Sequence, residues 1–151
     1  MRATPSRGRA THVIRIPFLE PTTPPAYAGL ELLATAVLVI AEDGRVTWAN
    51  PAAENLFELS RKKLTRRRPA QVFDDSAALD AAIAKARANG ASYTEQEIEL
   101  GVGGKPRLHL SCTATPFDGD DAGMLVEFRH IDRELKIARE ERLNEQQQAN
   151  R

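Results

Sequence analysis

Residues 36–57, AVLVIAEDGRVTWANPAAENLF, decide the fold of this chain. The opening AVLVIA is a short apolar run, typical of a strand that is buried on both faces. EDGR supplies a turn in which Gly44 tolerates positive φ, and the alternating RVTWA predicts a second strand. Asn50 is a good N-cap and Pro51 suits the first helical position. The stretch therefore predicts a strand, a turn, a second strand and then a helix.

The rest of the chain predicts one further long helix and three more strands. DDSAALDAAIAKARANG is the helix, with Asn89-Gly90 as its stop signal. SYTEQEIEL and PRLHLSCTATPF read as a long hairpin that turns at GVGGK, and GMLVEFRHI follows as the last strand. The first and last strands are apolar on both faces, so we place them mid-sheet. The prediction is an α+β fold with a five-stranded antiparallel sheet in the order 2-1-5-4-3 and helices on one face.

One face of this predicted sheet lacks a cover. Helices between strands two and three would pack on one face only, which leaves apolar surface on the other. YAGLELLAT, residues 27–35, predicts a short N-terminal helix with Leu30, Leu33 and Ala34 on one side. We expect either this helix or a second subunit to cover the outer face.

The chain divides into three parts by composition. Residues 1–25 are rich in Pro, Thr, Ser and Arg without periodicity and predict a flexible tail. Residues 26–131 contain the alternating strand and helix signals of one folded domain. Residues 132–151 have no Gly or Pro and consist of strong helix formers. They predict a single exit helix that leaves the domain.

Composition also limits the classes of function. The formal net charge is zero, which gives no reason to expect a nucleic-acid or membrane partner. The longest apolar run, residues 36–41, is far shorter than the roughly 20 residues that cross a bilayer. A single cysteine, Cys112, cannot form an internal disulfide, which fits a reducing compartment. The expected location is the cytoplasm.

Two features could suggest a bound ion, and both have simpler structural explanations. His109 and Cys112 lie three residues apart on a strand and so point to opposite faces, which does not favour a metal. GVGG, residues 101–104, could cradle a phosphate, but no helix beginning with Lys-Ser or Lys-Thr follows it. We expect a hairpin turn there and no metal site.

Residues 61–68 form a basic segment, which we interpret as a solvated connection anchored by Leu64. Its cations are Arg61, Lys62, Lys63, Arg66, Arg67 and Arg68. No stacking aromatic residues or docking motif accompany them, so nucleic-acid binding is not expected. A surface for an anionic partner is the alternative.

The order of these elements resembles a PAS domain, the sensor module of many signalling proteins. WANPAAENLFELSRKKL, YTEQEIEL and LVEFRHIDRELKIAREERLNEQQQANR are similar, more narrowly, to the N-terminal PAS domain of NtrB-type nitrogen-regulation histidine kinases. The resemblance covers residues 30–151 and is most specific in the last segment. The exit sequence His130-Ile131-Asp132 departs from the commoner Asp-Ile-Thr of PAS domains, in a way compatible with the NtrB group.

The resemblance implies the regulatory part of a two-component sensor kinase. Such a kinase controls phosphorylation of an NtrC-type response regulator under the influence of PII protein, and it would contact both through a kinase core that is missing here. No histidine follows His130 and no ATP-binding segment is present, so we do not expect this chain to be an enzyme. The alternative is a PAS module of another signalling protein, such as a transcription regulator or a cyclase.

No cofactor is expected in this domain. Cofactor-binding PAS domains need a haem-ligand histidine on the long helix, or a reactive cysteine beside an Asn-Cys-Arg-type helix for flavin, and residues 76–89 contain neither His nor Cys. A small organic ligand between sheet and helices stays open as an alternative to a filled core. The residues that would line its pocket are Val39, Trp48, Ile83, Ile98, Leu110 and Cys112.

The exit helix is the predicted route of signalling. Ile131, Leu135, Ala138 and then Arg142 or Leu143 approximate a heptad seam, which at about two heptads is marginal on its own. We therefore predict a homodimer in which packing among the outer sheet face, the N-terminal helix and the exit helix transmits the signal. The residues predicted for dimer contact and signalling are Leu30, Leu33, Leu38, Ile131, Asp132, Leu135 and Ala138.

Overall fold

The structure, a computed structural model, describes residues 24–131 and 133–149. Two 3-10 helices, Pro25–Tyr27 and Leu30–Leu32, precede β1 (Ala36–Ala41) and β2 (Val46–Ala49). Four helices follow: α1 (Pro51–Phe57), α2 (Arg61–Leu64), α3 (Pro69–Val72) and α4 (Ala77–Asn89). The last elements are β3 (Tyr93–Leu100), β4 (Leu108–Phe117), β5 (Gly123–His130) and the exit helix α5 (Arg133–Ala149). The predicted tail up to residue 23, Asp132 and the side chains of Leu135 and Ala138 lie outside the described part.

The five strands form one antiparallel sheet in the order β2-β1-β5-β4-β3, as predicted. Leu38 of β1 pairs with Ala49 on one side and with Val126 on the other. β1 and β5 are thus both interior strands. β1 is buried on both faces, whereas in β5 only Met124, Val126 and Phe128 on one face are buried and the alternate residues are half-buried or exposed.

Helices α1 and α4 cover one face of the sheet and enclose the main core, which we call the helix-side core. Its aromatic centre is Phe57, whose ring centroid lies 4.9 Å from that of Phe73 and 5.2 Å from that of Phe128. Leu79 of α4 is fully buried against these residues. Leu38, which we predicted for dimer contact, also lies in this core and is 0% exposed. Its side chain is therefore not available to a second subunit.

The opposite, outer face is divided into an apolar and a polar part. On β1 and β2, the side chains of Val37, Val39 and Trp48 form a second buried cluster. Its partly buried neighbours are Tyr27, Leu30, Phe117 and Leu125. The chain itself therefore supplies a cover for this part, one of the two alternatives we left open.

The outer face of β3 and β4 is hydrophilic. The Thr94 and Thr113 hydroxyls lie 2.9 Å apart in a cross-strand hydrogen bond, and those of Ser92 and Thr115 lie 2.8 Å apart. The apolar outer surface that we predicted therefore does not extend over most of β3 and β4, because threonine and serine occupy outward positions there. The outer face of the sheet therefore does not by itself require a second chain, because the chain covers the apolar part and the other part is hydrophilic.

The predicted N-terminal helix is replaced by two short 3-10 turns. Leu33, predicted on the packed side, is 43% exposed, and Leu32 is 89% exposed. The Leu30 carbonyl accepts a hydrogen bond from the Asn50 side chain, and the residues that flank it form no α-helical turn. We call residues 24–35 the N-terminal turn.

The basic segment is more ordered than the solvated connection we expected. The Arg66 N–H donates to the Val46 carbonyl at 2.7 Å, and the Val46 N–H donates to the Arg67 carbonyl at 2.8 Å. Residues 66–67 therefore pair with the free edge of β2, which protects that edge. Leu64 is fully buried and anchors the segment, as predicted.

Candidate functional site

Asn50 joins the N-terminal turn to the folded domain. Its side-chain Oδ1 accepts from the Val37 N–H and the Ala53 N–H, each at 2.9 Å, so it caps α1 and extends the pairing of β1. Its Nδ2 donates to the carbonyls of Leu30 at 3.0 Å and Thr35 at 2.9 Å. Asn50 is 0% exposed, so these four bonds form without competition from water.

A second connection, which we call the Arg61 clamp, consists of Glu31, Arg61 and Trp48. Nη2 of Arg61 lies 3.0 Å from Oε1 and 3.3 Å from Oε2 of Glu31 in the N-terminal turn. The guanidinium carbon lies 5.5 Å from the centroid of the Trp48 ring, close enough for a cation–π interaction. The Tyr27 ring packs on the same indole with 5.2 Å between centroids. The clamp thus holds the N-terminal turn over the apolar outer patch.

Two buried donors in the clamp have no acceptor. Trp48 Nε1 and Arg61 Nε form no hydrogen bond in the part of the chain that the structure describes. A buried donor without a partner costs about 1–3 kcal/mol. The closed arrangement of the turn therefore carries an energetic penalty beside its favourable contacts.

The six residues predicted to line a ligand pocket do not surround one space. Ile83, Ile98, Leu110 and Cys112 lie in the helix-side core. The other two, Val39 and Trp48, lie on the outer face of the sheet. The predicted set thus combined residues from both faces of the sheet.

A surface recess of about 270 Å³ lies near the root of the exit helix. Its apolar wall includes Ala52, Leu56 and Phe128, and Arg129 and His130 lie at the same opening. The predicted pocket residues are not among those that line it.

Cys112 lies in an environment that disfavours its reactive thiolate form. Its thiol is fully buried, and burial, with a smaller contribution from Glu95, raises the pKa of Cys112 to about 12. His109 lies on the other face, with Nδ1 3.4 Å from Oε1 of Glu99. The described residues contain no cluster of three potential metal ligands.

A polar chain on the surface ties α4 to β3. Lys85 Nζ donates to the Tyr93 hydroxyl at 3.1 Å, and that hydroxyl donates to Oε2 of Glu95 at 3.0 Å. The hydrogen bond to Tyr93, followed by the charges of Tyr93 and Glu95, raises the pKa of Lys85. This lysine stays a cation at neutral pH and has the geometry of a structural contact.

The exit helix begins at a fixed point and then leaves the domain. The Ile131 N–H donates to the His109 carbonyl at 3.0 Å, so the backbone just before α5 is tied to β4. Residues 140–149 are exposed, including Leu143 at 59%. Of the residues predicted for signalling, Leu30 packs on the outer patch and Ile131 lies at this root.

The sequence did not indicate the Arg61 clamp. Arg61 is one of six cations in the basic segment, and nothing local distinguishes it from its neighbours. Glu31, its partner, lies 30 residues earlier. Ser60 caps the short helix that begins at Arg61, but this local signal does not indicate a partner as distant in sequence as Glu31.

The fold with its N-terminal turn and exit helix defines a sensor module of the PAS type. The family model for the PAS fold matches residues 27–132. The chain belongs to the PAS family. Among the helices that the structure describes, none is long and apolar enough to span a membrane.

The chain is similar in sequence to proteins of nitrogen regulation. The chain is 31% identical over 121 residues to the sensory histidine kinase/phosphatase NtrB of Vibrio alginolyticus. The aligned region covers 80% of this chain and 34% of that protein. It therefore spans about a third of the curated relative. The PAS domain of nitrogen regulation protein NR(II) from Vibrio parahaemolyticus matches with 29% identity and a TM-score of 0.61. That match covers 72% of this chain and 100% of the solved domain.

A more distant structure shows the same fold. The PAS domain of Bordetella pertussis BvgS matches with 14% identity and a TM-score of 0.58, over 82% of this chain and 95% of that one. Together these findings identify the chain as a PAS sensor domain related to the PAS domains of NtrB histidine kinases.

Proposed function

We propose that this chain is the regulatory PAS sensor and dimerisation domain of an NtrB-like histidine kinase for nitrogen regulation, acting in the cytoplasm. The observation that carries the proposal is the similarity to NtrB, which extends over 80% of the chain. In this proposal a kinase core outside the chain phosphorylates and dephosphorylates an NtrC-type response regulator. The same core responds to PII protein, so the PAS domain supplies control and not catalysis.

The exit helix is the element that would transmit the signal. The residue before it, Ile131, is bonded to His109 of β4, and we propose that a shift in the sheet changes the direction of α5 through this connection. The exposed Leu143 supports pairing with another helix, because a single large apolar side chain in water gains free energy when a partner covers it. We propose that the partner is α5 of a second copy, in a parallel homodimer.

The N-terminal turn would take part in the same interface. Leu32 and Leu33 are exposed on it and lie beside residues that pack on the outer face. A ligand or partner can act on such a dimer only by binding one arrangement better than the other. The proposed signal is therefore a change in how the turn, the outer patch and the two exit helices pack together.

The gene sequence that follows Arg151 offers the first test. The proposal predicts a helix with a phospho-acceptor histidine and then an ATP-binding domain. A DNA-binding or cyclase domain in that place would refute the kinase assignment and favour a PAS module of another signalling protein.

Phosphotransfer measured with the full-length parent tests the regulatory role. The assay follows transfer of phosphate from ATP to a purified NtrC-type response regulator, with and without PII protein. Deletion of residues 26–131 should change the balance of kinase and phosphatase activities and leave the catalytic core active. Unchanged activities in both directions would contradict a regulatory role for the domain.

A further inference from the structure

We propose that the N-terminal turn dissociates reversibly from the outer patch of Val37, Val39 and Trp48 while the rest of the domain stays folded. In this inference the Glu31–Arg61 ion pair is the salt-sensitive contact that keeps the turn closed. The meaning of this motion for signalling rests on the proposed function, but the motion itself does not.

Few contacts hold the turn in place. Within it, the Tyr27 N–H donates to the Pro24 carbonyl at 2.8 Å, but the hydrogen bonds from the Leu32 N–H to Gly29 and from the Leu33 N–H to Leu30 are long, at 3.3 Å. The turn contributes no strand to the sheet. It is attached by the Asn50 bonds, by Glu31 and by the packing of two side chains on Trp48. Segments with few buried contacts open at lower free energy than the core does.

The ion pair is placed where solvent ions can weaken it. The side chains of Arg61 and Glu31 are 21% and 33% exposed, so the pair is partly open to water. Screening by salt acts on such a pair far more than on apolar packing. A change in ionic strength therefore acts selectively on this contact of the turn.

The two unsatisfied donors favour opening. Trp48 Nε1 and Arg61 Nε have no acceptor among the described residues while the turn is closed. When the turn lifts, water reaches both donors and their hydrogen bonds are satisfied. This gain offsets part of the apolar contact that is lost, so the two states differ less in free energy than the buried area alone suggests.

The rest of the domain does not need the N-terminal turn in order to stay folded. Asn50 keeps its bonds to Val37 and Ala53 when Leu30 leaves, because these use a different side-chain atom. The helix-side core contains no residue of the N-terminal turn, since its first residue along the chain is Ala36. Opening therefore exposes an apolar interaction surface without unfolding the sheet.

Trp48 is the sole tryptophan of the chain, so its fluorescence reports on the patch directly. The measurement is acrylamide quenching of Trp48, in parallel with far-ultraviolet circular dichroism of the same samples. Glu31→Gln removes the charge and keeps the shape of the side chain. Glu42→Gln is the matched control, since Glu42 is exposed and forms no ion pair with a described residue.

We expect Glu31→Gln to raise the open fraction by up to about fivefold, the most that loss of one partly exposed ion pair brings. The quenching constant should rise with unchanged circular dichroism, while Glu42→Gln behaves like the unaltered chain. Raising NaCl from about 0.05 M to about 1 M should raise quenching in the unaltered chain and not in Glu31→Gln.

Three results would overturn the inference. Quenching that is insensitive to both salt and Glu31→Gln would show that the ion pair does not hold the turn. A rise that appears only as circular dichroism is lost would show that the turn unfolds with the whole domain. An equal rise in Glu42→Gln would indicate a general charge effect. Because the salt titration needs no variant, a misfolded Glu31→Gln leaves the test intact, and none of these results depends on phosphotransfer by the parent.

Discussion

Replacement of Asn50 by alanine should strongly destabilise the domain. Alanine leaves the Val37 N–H without its acceptor and removes the side-chain donor to the carbonyls of Leu30 and Thr35, whereas the Ala53 N–H keeps the backbone carbonyl of residue 50 at 3.0 Å. Loss of a helix N-cap costs about 1 kcal/mol. Burial of an unsatisfied N–H costs about 1–3 kcal/mol more.

The expected loss is about 3 kcal/mol in the free energy of unfolding, which for a domain of this size lowers Tm by about 15 °C. Asn50→Ser is the informative comparison, because serine also caps helices but cannot reach Val37, Leu30 and Thr35 together. It should lose about 2 kcal/mol, less than alanine by the value of the cap. The assay is urea unfolding followed by circular dichroism, with both variants and the unaltered chain measured at one protein concentration.

A loss below about 1 kcal/mol in Asn50→Ala would show that the bonds of Asn50 beyond the helix cap contribute nothing to stability, because about 1 kcal/mol is the contribution of a cap alone. Equal losses in the two variants would show that the cap on α1 contributes nothing. In the first case the four bonds of Asn50 would not be the connection between the N-terminal turn and the sheet that their geometry indicates.

Three further predictions concern the rest of the domain. Gly123→Ala should lower the free energy of unfolding by about 1–3 kcal/mol, because a Cβ there collides with the backbone of β1. Gly29→Ala is the control, since Gly29 has open space around it, and should change stability by no more than about 0.5 kcal/mol when both are compared by urea unfolding. Leu64→Ala should cost about 2–5 kcal/mol as a fully buried anchor and exposed Lys62→Ala almost nothing, and equal thermal midpoints would contradict the anchoring role. The Cys112 thiol should react with a thiol reagent at pH 8 only in denaturant, and rapid labelling of the native protein would exclude its burial. Because folding raises the pKa of Cys112, the free energy of unfolding should fall as pH rises from the ordinary thiol pKa towards about 12.

The sheet order could be predicted because the residues of β1 and β5 themselves indicate where these strands lie in the sheet. Apolar residues on both faces require neighbours on both edges and covers on both sides, and this rule placed the two strands mid-sheet. The start of α1 was equally local, since Asn50 and Pro51 act through their own backbone. These features depend on short stretches of sequence, which is why composition and alternation were sufficient.

The N-terminal turn and the basic segment could not be predicted in the same way. The conformation around Leu30 depends on a side chain 20 residues later in the sequence. Pairing of Arg66 and Arg67 with β2 likewise joins residues about 20 apart through the backbone, which side-chain patterns do not report. The assignment of Val39 and Trp48 to a pocket failed because alternation gives two faces but does not tell which one the helices cover.

Sedimentation velocity of the chain tests the central claim, that α5 joins two copies of this PAS domain. Three forms are compared at micromolar concentration: the whole chain, a form that ends at residue 131, and Leu143→Asp, which places a charge at the exposed apolar position of α5. We expect a concentration-dependent dimer for the whole chain, a monomer for the form without α5, and weaker association for Leu143→Asp. A whole chain that stays monomeric, or a dimer that persists unchanged without α5, would contradict it.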